Sequence, residues 1–370
     1  MGDAGLPWVY PLALELGKFG PTVAINLVAS LPLFSNPSRW SYDDPSHLTQ
    51  RETWAYPPGF NEKLSIFFRK VVKARLNKKI RSLYSQTNNN PYVITLYPWF
   101  LHYVLDVQAD NLIYLNYDDY SISINQESVN KNKNEEELAK RAGTILCSSA
   151  YQTKRFLERF ANRKKDIFYL PHGVHDAFIN PVPEKIEPNN VCIVGSLTSR
   201  YDWKLIYDVV TKMPEAFFIF VGNISMDGFT GQDDEWKKFM RAVLELYNVK
   251  HIGGLKHSQT APYYWQSAVN WMPYKADLPF VKASCPLKIP DGIASGRRII
   301  SPDVPECRLY PDWINIYHNA TEAVSLIKDF IATSTSAKEM ERSRLQIEFA
   351  RSNRWSCRAS HLVDILDRNL

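Results

Sequence analysis

Lys288 and Asp291 are the residues whose types and spacing point most directly to chemistry. They lie in PLKIPDGIASGRRIIS, where the pattern predicts a short helix near 287–294 followed by a strand. Three residues apart, the two side chains share one helix face, and a lysine there can bind a phosphate. Leu287 precedes the lysine, and Tyr274, at the end of the preceding predicted strand, can lie against a base or a ribose. A solvated lysine is the alternative for Lys288 alone, but the combined pattern favours an anion site.

A second candidate site is VGSLTSRYDWKL, where Gly195 and Ser196 end a predicted strand just before a helix. Small residues at such a junction let backbone N–H groups approach a diphosphate, and Arg200 can add positive charge. An ordinary strand-to-helix turn is the alternative. Because the segment matches neither GxGxxG nor GxxxxGK[ST], a dinucleotide dehydrogenase or a P-loop enzyme is disfavoured.

Two carboxylates, Asp118 and Asp119, follow the apolar run NLIYLNY. Ligands of open α/β sheets bind beyond the carboxyl ends of the strands, so either aspartate can act as a general base on a substrate hydroxyl. The alternative is a helix cap.

His172 and Gly173, in PHGVHDAF, are candidates for a cleft floor, although a His-Gly pair is also typical of a plain turn. His175 follows two residues later without an acidic partner, so no metal site is expected.

The elements that must position these residues form an α/β pattern. Short runs rich in Val, Ile, Phe and Tyr alternate with amphipathic stretches, which predicts buried parallel strands. The predicted strands lie in TVAINLVASL, PYVITLYP, NLIYLNY, TILCSS, DIFYLP, NVCIVGSL, AFFIFVGN, VKHIGGL, AVNWMPY and RRIISP. TVAINLV is interpreted as the second strand of its domain. The first strand of that domain is not recognised in the sequence.

The length of 370 residues favours two α/β domains. We predict a first domain at 1–171, a second at 172–345, and a helix at 346–370 that packs back on the first. The polar, proline-rich segment 172–188 is interpreted as an exposed connection.

The composition excludes several classes of protein. A net charge of +5 is too small for a histone-like nucleic-acid binder, and no nucleic-acid partner is expected. The five cysteines form no CxxC pair, which indicates a reducing, cytosolic setting without zinc or disulfides. No apolar run has the length of a membrane span. The basic run at 63–81 is typical either of a helix on an anionic membrane surface or of a solvated outer face. Nucleic acid is a third possibility, disfavoured because no recognised RNA or DNA module surrounds the run.

Taken in order, these segments resemble the GT-B glycosyltransferases, in particular the bacterial branch with teichuronic-acid enzymes and the xanthan-type glucuronosyltransferase. The resemblance runs from about residue 92 onward. It rests on LIYLNYDDYS, AGTILCSSAYQTKRF, LPHGVHDAF, CIVGSLTSRYDWKLI, FIFVGN, VKHIGGLKHSQTAPYYWQSAVNWMPY and PLKIPDGIASGRRIIS.

The resemblance implies two Rossmann-like domains that face each other across a cleft, with Asp119 as the catalytic base. It places the donor on the second domain. Its contacts would be Gly195 and Ser196 at the diphosphate, Leu255 and Lys256 around the base, Tyr274, and Leu287 with Lys288 at the phosphates. Many relatives carry Glu or Gln at the position of Asp291 and Glu at that of Gly254, which leaves the donor open.

The implied function is transfer of a sugar from a nucleotide-sugar, UDP-linked by expectation, to a saccharide or lipid-linked acceptor in polysaccharide biosynthesis. No metal or other cofactor is expected, since basic side chains and helix dipoles offset the leaving diphosphate. The enzyme would be cytoplasmic, with a peripheral place on the inner face of the membrane. The alternatives are a nucleotide-sugar epimerase of the same fold and a non-catalytic sugar-nucleotide binding protein.

Overall fold

The computed structural model describes residues 9–29, 48–56, 62–120, 127–183, 185–225 and 235–368. The chain divides into two compact units. Unit 1 comprises Met1–Pro171 with Arg358–Leu370, and unit 2 comprises His172–Cys357.

Unit 1 is built around a parallel sheet in the order β3-β4-β5-β6. Its elements are α1 Tyr10–Leu16, β1 Thr22–Ala29, β2 Thr49–Tyr56, α2 Glu62–Thr87, β3 Val93–Thr95, α3 Leu101–Val104, β4 Leu112–Asn116, α4 Glu127–Arg141, β5 Thr144–Cys147, α5 Ala150–Arg159 and β6 Ile167–Tyr169. β4 and β5 are buried along their whole length, as their unbroken apolar runs predict. Tyr114, Ile145 and Phe156 pack in the core between this sheet and its helices.

Unit 2 holds a parallel sheet in the order β12-β11-β10-β7-β8-β9. Its elements are β7 Glu187–Val194, α6 Trp203–Thr211, β8 Phe217–Val221, α7 Glu235–Leu244, β9 Val249–Gly253, α8 Ala261–Gln266, β10 Ser267–Trp271, α9 Pro279–Ala283, α10 Lys288–Ala294, β11 Arg298–Pro302, β12 Ile314–Tyr317, α11 Ala320–Thr333 and α12 Ala337–Arg351. α13, Trp355–Asp367, begins in unit 2 and ends in unit 1. The chain proceeds outward from β7 in one direction, then returns to β10 and proceeds in the other, so β7 and β10 flank the switch point.

The predicted fold class is confirmed, since each predicted run contains a parallel strand. Two strands were missed, Thr49–Tyr56 and Ile314–Tyr317. TQRETWAY is mostly polar and INIY is only four residues long, so neither presents a long apolar run. β1, which lacked a predicted partner strand, pairs in parallel with β2 along all eight residues.

The prediction that residues 172–188 form an exposed connection holds only for the later part. Pro181, Val182, Lys185, Glu187 and Pro188 are exposed, whereas the part up to Asn180 is largely buried. Phe178 is fully buried, and Trp265 donates a hydrogen bond from Nε1 to its carbonyl at 2.8 Å. Asn180 is also buried and donates to the Ser295 carbonyl at 2.9 Å. Asn180 therefore serves a hydrogen bond inside unit 2 rather than contact with water. Residues 346–370, predicted as one helix, contain the end of α12 and all of α13, separated after Arg351.

Candidate functional site

The carboxyl ends of β7 and β10 bring several predicted residues together. Gly195 follows directly after β7, and Tyr274 lies three residues beyond β10. Ligands of open parallel sheets bind where the strand order reverses, and this is that place in unit 2.

Gly195 and Gly222 let two strand ends approach closely at this edge. Both have left-handed backbone conformations, with φ of +125° and +151°. A Cβ atom on Gly222 would lie 2.0 Å from the Gly195 carbonyl oxygen, and one on Gly195 would lie 2.6 Å from Lys288 Nζ. A side chain at Gly222 would meet backbone, and one at Gly195 would displace the end of Lys288, so the two glycines keep Lys288 close to the end of β7.

The Lys288 ammonium lies between two tyrosines. It donates a hydrogen bond to the Tyr274 hydroxyl at 2.5 Å and lies 5.6 Å from the centre of the Tyr201 ring. Burial alone would lower the pKa of Lys288, but its interactions with Tyr201 and Tyr274 outweigh that effect, and the net direction is upward. Burial raises the pKa of Tyr201 to about 12. The lysine is therefore a partly enclosed cation at neutral pH, held beside two tyrosines.

Arg200 adds a second cation near Lys288, and the two repel each other enough to oppose the rise in the lysine pKa. Its guanidinium lies 5.2 Å from the centre of the Phe280 ring and donates from Nε to Thr198 at 3.3 Å. Two like charges at the end of a buried strand suit an anion such as a diphosphate.

Asp291 lies one turn after Lys288 on α10, but it points to a different partner. Its carboxylate is 4% exposed and lies 2.7 Å from His257 Nε2. The His257 ring packs on Phe178, with their centres 4.5 Å apart. Asp291 is thus a fixed acceptor rather than a solvated charge.

The remaining predicted donor residues lie on nearby loops of unit 2. Ser196 is exposed after β7, Leu255 and Lys256 are exposed after β9, and half-buried Leu287 precedes α10. No contact among the described residues tests the roles of these four residues in donor binding, and those roles stay predictions.

Asp119 of unit 1 lies in a buried ionic network beyond β4. Its carboxylate is 6% exposed and lies 2.6 Å from Arg155 Nη1 on α5. The same guanidinium lies 3.6 Å from fully buried Glu135, which also pairs with Arg159 at 3.3 Å. Neither Arg155 nor Glu135 was singled out from the sequence, because they are distant from Asp119 along the chain.

Two residues of β4 complete this network. Tyr114 donates its hydroxyl hydrogen to Glu135 at 3.0 Å, and Asn116 donates to the Asp118 carbonyl at 2.9 Å. Burial raises the pKa of Glu135, although Arg155 and Tyr114 oppose the rise. The network fixes the turn that carries both aspartates, and half-buried Asp118 is the more accessible of the two.

His172 and Gly173 lie inside unit 2, against the start of α13. A Cβ atom on Gly173 would lie 2.7 Å from the Trp355 backbone, and the His172 ring centre is 6.0 Å from that of Trp355. These contacts explain the small residue and the buried ring by packing. The expected place of both residues at a cleft stays a prediction.

The described residues show no cluster of metal ligands and no helix able to span a membrane. No group of three His, Cys, Asp or Glu side chains there is arranged to hold a metal ion. In the same residues no helix has the length and apolar character that crossing a membrane requires. A polar cavity of about 270 Å³ lies in unit 1 beside residues that precede β3 and β4, at the sheet edge opposite Asp119.

Comparison with known proteins extends the resemblance. No protein-family model matches the chain. A candidate teichuronic acid biosynthesis glycosyltransferase, TuaH of Bacillus subtilis (strain 168), is 22% identical over 240 residues, which are 60% of this chain and 55% of TuaH. The chain thus matches about half the length of that relative.

Solved structures match nearly the whole chain. HepE of Anabaena, in complex with UDP, has a TM-score of 0.65 at 13% identity, and the match covers 99% of this chain and 98% of HepE. Sucrose-phosphate synthase of Thermosynechococcus elongatus has a TM-score of 0.68 at 15% identity, with 98% and 92% covered. The fold is GT-B. The predicted resemblance to GT-B glycosyltransferases, with two Rossmann-like domains, is confirmed.

Proposed function

We propose that this protein is a glycosyltransferase that takes its sugar from a UDP-linked donor bound by unit 2. The observation that carries the proposal is the cluster of Gly195, Tyr274 and Lys288 at the switch point of the unit 2 sheet. Support comes from HepE, which binds UDP and has the same fold.

The proposed reaction needs charge stabilisation at the donor and a proton acceptor. An acceptor hydroxyl attacks the anomeric carbon, the bond from that carbon to the diphosphate oxygen breaks, and UDP leaves. Lys288 and Arg200 offset the charge that develops on the diphosphate, which is why we expect no metal requirement. Asp119 takes the proton of the hydroxyl, in the role that the sequence predicted for it.

For the acceptor we propose a saccharide, free or attached to a lipid. The lipid part rests on α2, whose described side chains begin at Lys70. Lys70, Lys78 and Arg81 are exposed on one side of this helix, which we call the basic face. Such a face can bind anionic headgroups and would give the enzyme a peripheral place on the inner surface of the membrane.

Two alternatives are distinguishable by experiment. The ion pair between Asp119 and Arg155 also suits a non-catalytic sugar-nucleotide binding protein, because it occupies the carboxylate that would act as base. That protein would bind UDP without turnover. An epimerase of the same fold would convert the donor sugar without an acceptor.

The decisive test is calorimetry with UDP, GDP and ADP on the wild type and on Lys288→Ala. We expect UDP to bind most tightly and Lys288→Ala to weaken it at least tenfold, about 1.4 kcal/mol, because the partly enclosed cation is lost. Lys282→Ala, an exposed lysine at the end of α9, is the matched control and should bind normally. If UDP does not bind, or if both variants bind it like the wild type, the assignment of the donor site is wrong.

A further inference from the structure

Several aromatic rings cluster at the sheet edge that carries Asp119, among them those of Tyr97, Trp99 and Tyr120. Tyr97 and Trp99 follow β3, and Tyr120 follows β4. The rings of Tyr97 and Trp99 are stacked, with centres 4.6 Å apart and an angle of 14°. Tyr120 meets Trp99 edge-on at 5.6 Å. We call Tyr97, Trp99 and Tyr120 the aromatic platform.

The platform is held rigidly from below. Tyr97 is 9% exposed, and the Tyr120 hydroxyl donates to the Leu96 carbonyl at 3.3 Å. Trp99 is less buried than Tyr97 and lies in the turn Pro98–Phe100. A ring fixed on a second ring loses little freedom when a ligand packs on it, so the platform is pre-organised.

The platform is distinct from the core cluster of β4, β5 and α5. That cluster is formed by residues such as Leu112, Ile145 and Phe156, and none of the three platform rings belongs to it. The platform lies beyond the carboxyl ends of two parallel strands, which is where open parallel sheets bind ligands.

The charges near the platform indicate which ligand suits it. Asp118 and Asp119 directly precede Tyr120, and one guanidinium, that of Arg155, pairs with Asp119. An excess of carboxylates disfavours a phosphate-bearing ligand. A pyranose is neutral and has an apolar C–H face that can lie on an indole ring. Its hydroxyl groups can donate hydrogen bonds to carboxylates.

We propose that the aromatic platform is the saccharide acceptor subsite of unit 1, with Trp99 as the ring on which a pyranose packs. The assignment deepens the proposed function and rests on it, since the acceptor would then be a saccharide whose hydroxyl meets Asp119.

The test uses protein labelled with 5-fluorotryptophan, and cellobiose and maltose as pyranose probes. Trp99→Phe identifies the ¹⁹F resonance of Trp99 by its absence. We expect this resonance to shift as one of the disaccharides is added and to remain in place when UDP is added alone.

Variants then measure the affinity of the disaccharide. Trp99→Ala should weaken binding about tenfold, whereas Trp99→Phe keeps a ring and should stay within about threefold. Tyr92→Ala is the matched control, because Tyr92 is an exposed aromatic residue just before β3, at the other end of the strand. All variants should bind UDP like the wild type.

The possible results separate the two proposals. If neither disaccharide shifts the Trp99 resonance, or if Trp99→Ala binds the disaccharide as tightly as the wild type, the platform is not a saccharide site. If the shift is present but wild-type protein binds no UDP, a saccharide site exists and the transferase proposal fails, so the platform is not an acceptor subsite.

Discussion

At the scale of residues, Asp119 is the side chain whose role depends most on its neighbours. Its carboxylate lies within 2.6 Å of Arg155, a contact that holds it in one orientation. Arg155 also lies 3.6 Å from Glu135, so its charge is shared between two carboxylates. A shared guanidinium binds each carboxylate less completely than an exclusive partner would. This arrangement fixes the Asp119 carboxylate beyond the end of β4, where we propose that the base acts.

Replacement of Asp119 by Asn tests that role. We expect UDP release from UDP-glucose to fall about 10²-fold or more, with disaccharide or water as acceptor, because the proton acceptor is removed. UDP affinity should be unchanged, since the donor residues belong to unit 2. Asp118→Asn is the control, and its turnover should fall far less. Full turnover in Asp119→Asn would show that the Asp119–Arg155 pair is only structural.

At the scale of elements, the turn that follows His172 couples unit 2 stability to pH. His175 stands before the 3-10 turn Asp176–Phe178, and its Nδ1 accepts a hydrogen bond from the Ala177 N–H at 3.1 Å. Burial lowers the pKa of His175 to about 4, and the charge of His257 lowers it further, whereas Asp176 opposes the shift. The folded protein therefore keeps this imidazole neutral at pH values where an unfolded chain protonates it.

The sign of the pH dependence follows from proton uptake. Between pH 6.5 and about 4 the unfolded state binds the His175 proton and the folded state does not, so stability falls as pH falls. From pH 7 to pH 5 the loss due to this group should be roughly 2 kcal/mol.

His175→Asn keeps a hydrogen-bond acceptor for the turn and removes the titration. Urea unfolding at pH 7 and pH 5 should show a smaller loss of stability for the variant than for the wild type. Equal losses in the two proteins would mean that His175 titrates normally in the folded state. His318→Asn is the control, because it is the backbone N–H of His318, and not its ring, that donates a hydrogen bond to Glu322.

At the scale of the whole molecule, positive charge on α2 is divided between internal contacts and the basic face. Lys73 pairs with Asp106 at 2.7 Å, and Lys79 pairs with Glu52 at 2.5 Å. These ion pairs connect α2 to the rest of unit 1. Lys70, Lys78 and Arg81 are exposed instead. The chain has a net charge of +5, and the basic face is the part that we expect to bind anionic surfaces.

Charge reversal of the basic face tests this expectation. The wild type should bind phosphatidylserine-containing liposomes at low salt and release them at high salt. Replacing Lys70, Lys78 and Arg81 by Glu should weaken binding at least 100-fold, at about 1 kcal/mol per basic residue, with UDP affinity unchanged. Reversal of Lys212, Lys238 and Lys250, exposed lysines of unit 2, is the matched control. Equal binding by the two triple variants would remove the membrane part of the proposal.

The sequence by itself determined the α/β class and the positions of most strands, because buried parallel strands need unbroken apolar runs. It also indicated Gly195 and Lys288, whose residue types suit a close backbone approach and a phosphate. Local signals of this kind depend on neighbours within a few residues, and a single chain displays them directly.

Only the tertiary structure decided which distant residues meet. Lys288 reaches Tyr274 fourteen residues away, Asp119 pairs with Arg155 of α5, and Trp99, which follows β3, meets Tyr120, which follows β4, edge-on. The burial of Phe178 in a polar segment is of the same kind, because its ring packs against the rings of His257 and Tyr264. Such contacts are set by the order of strands and the packing of helices, for which the local pattern contains no signal.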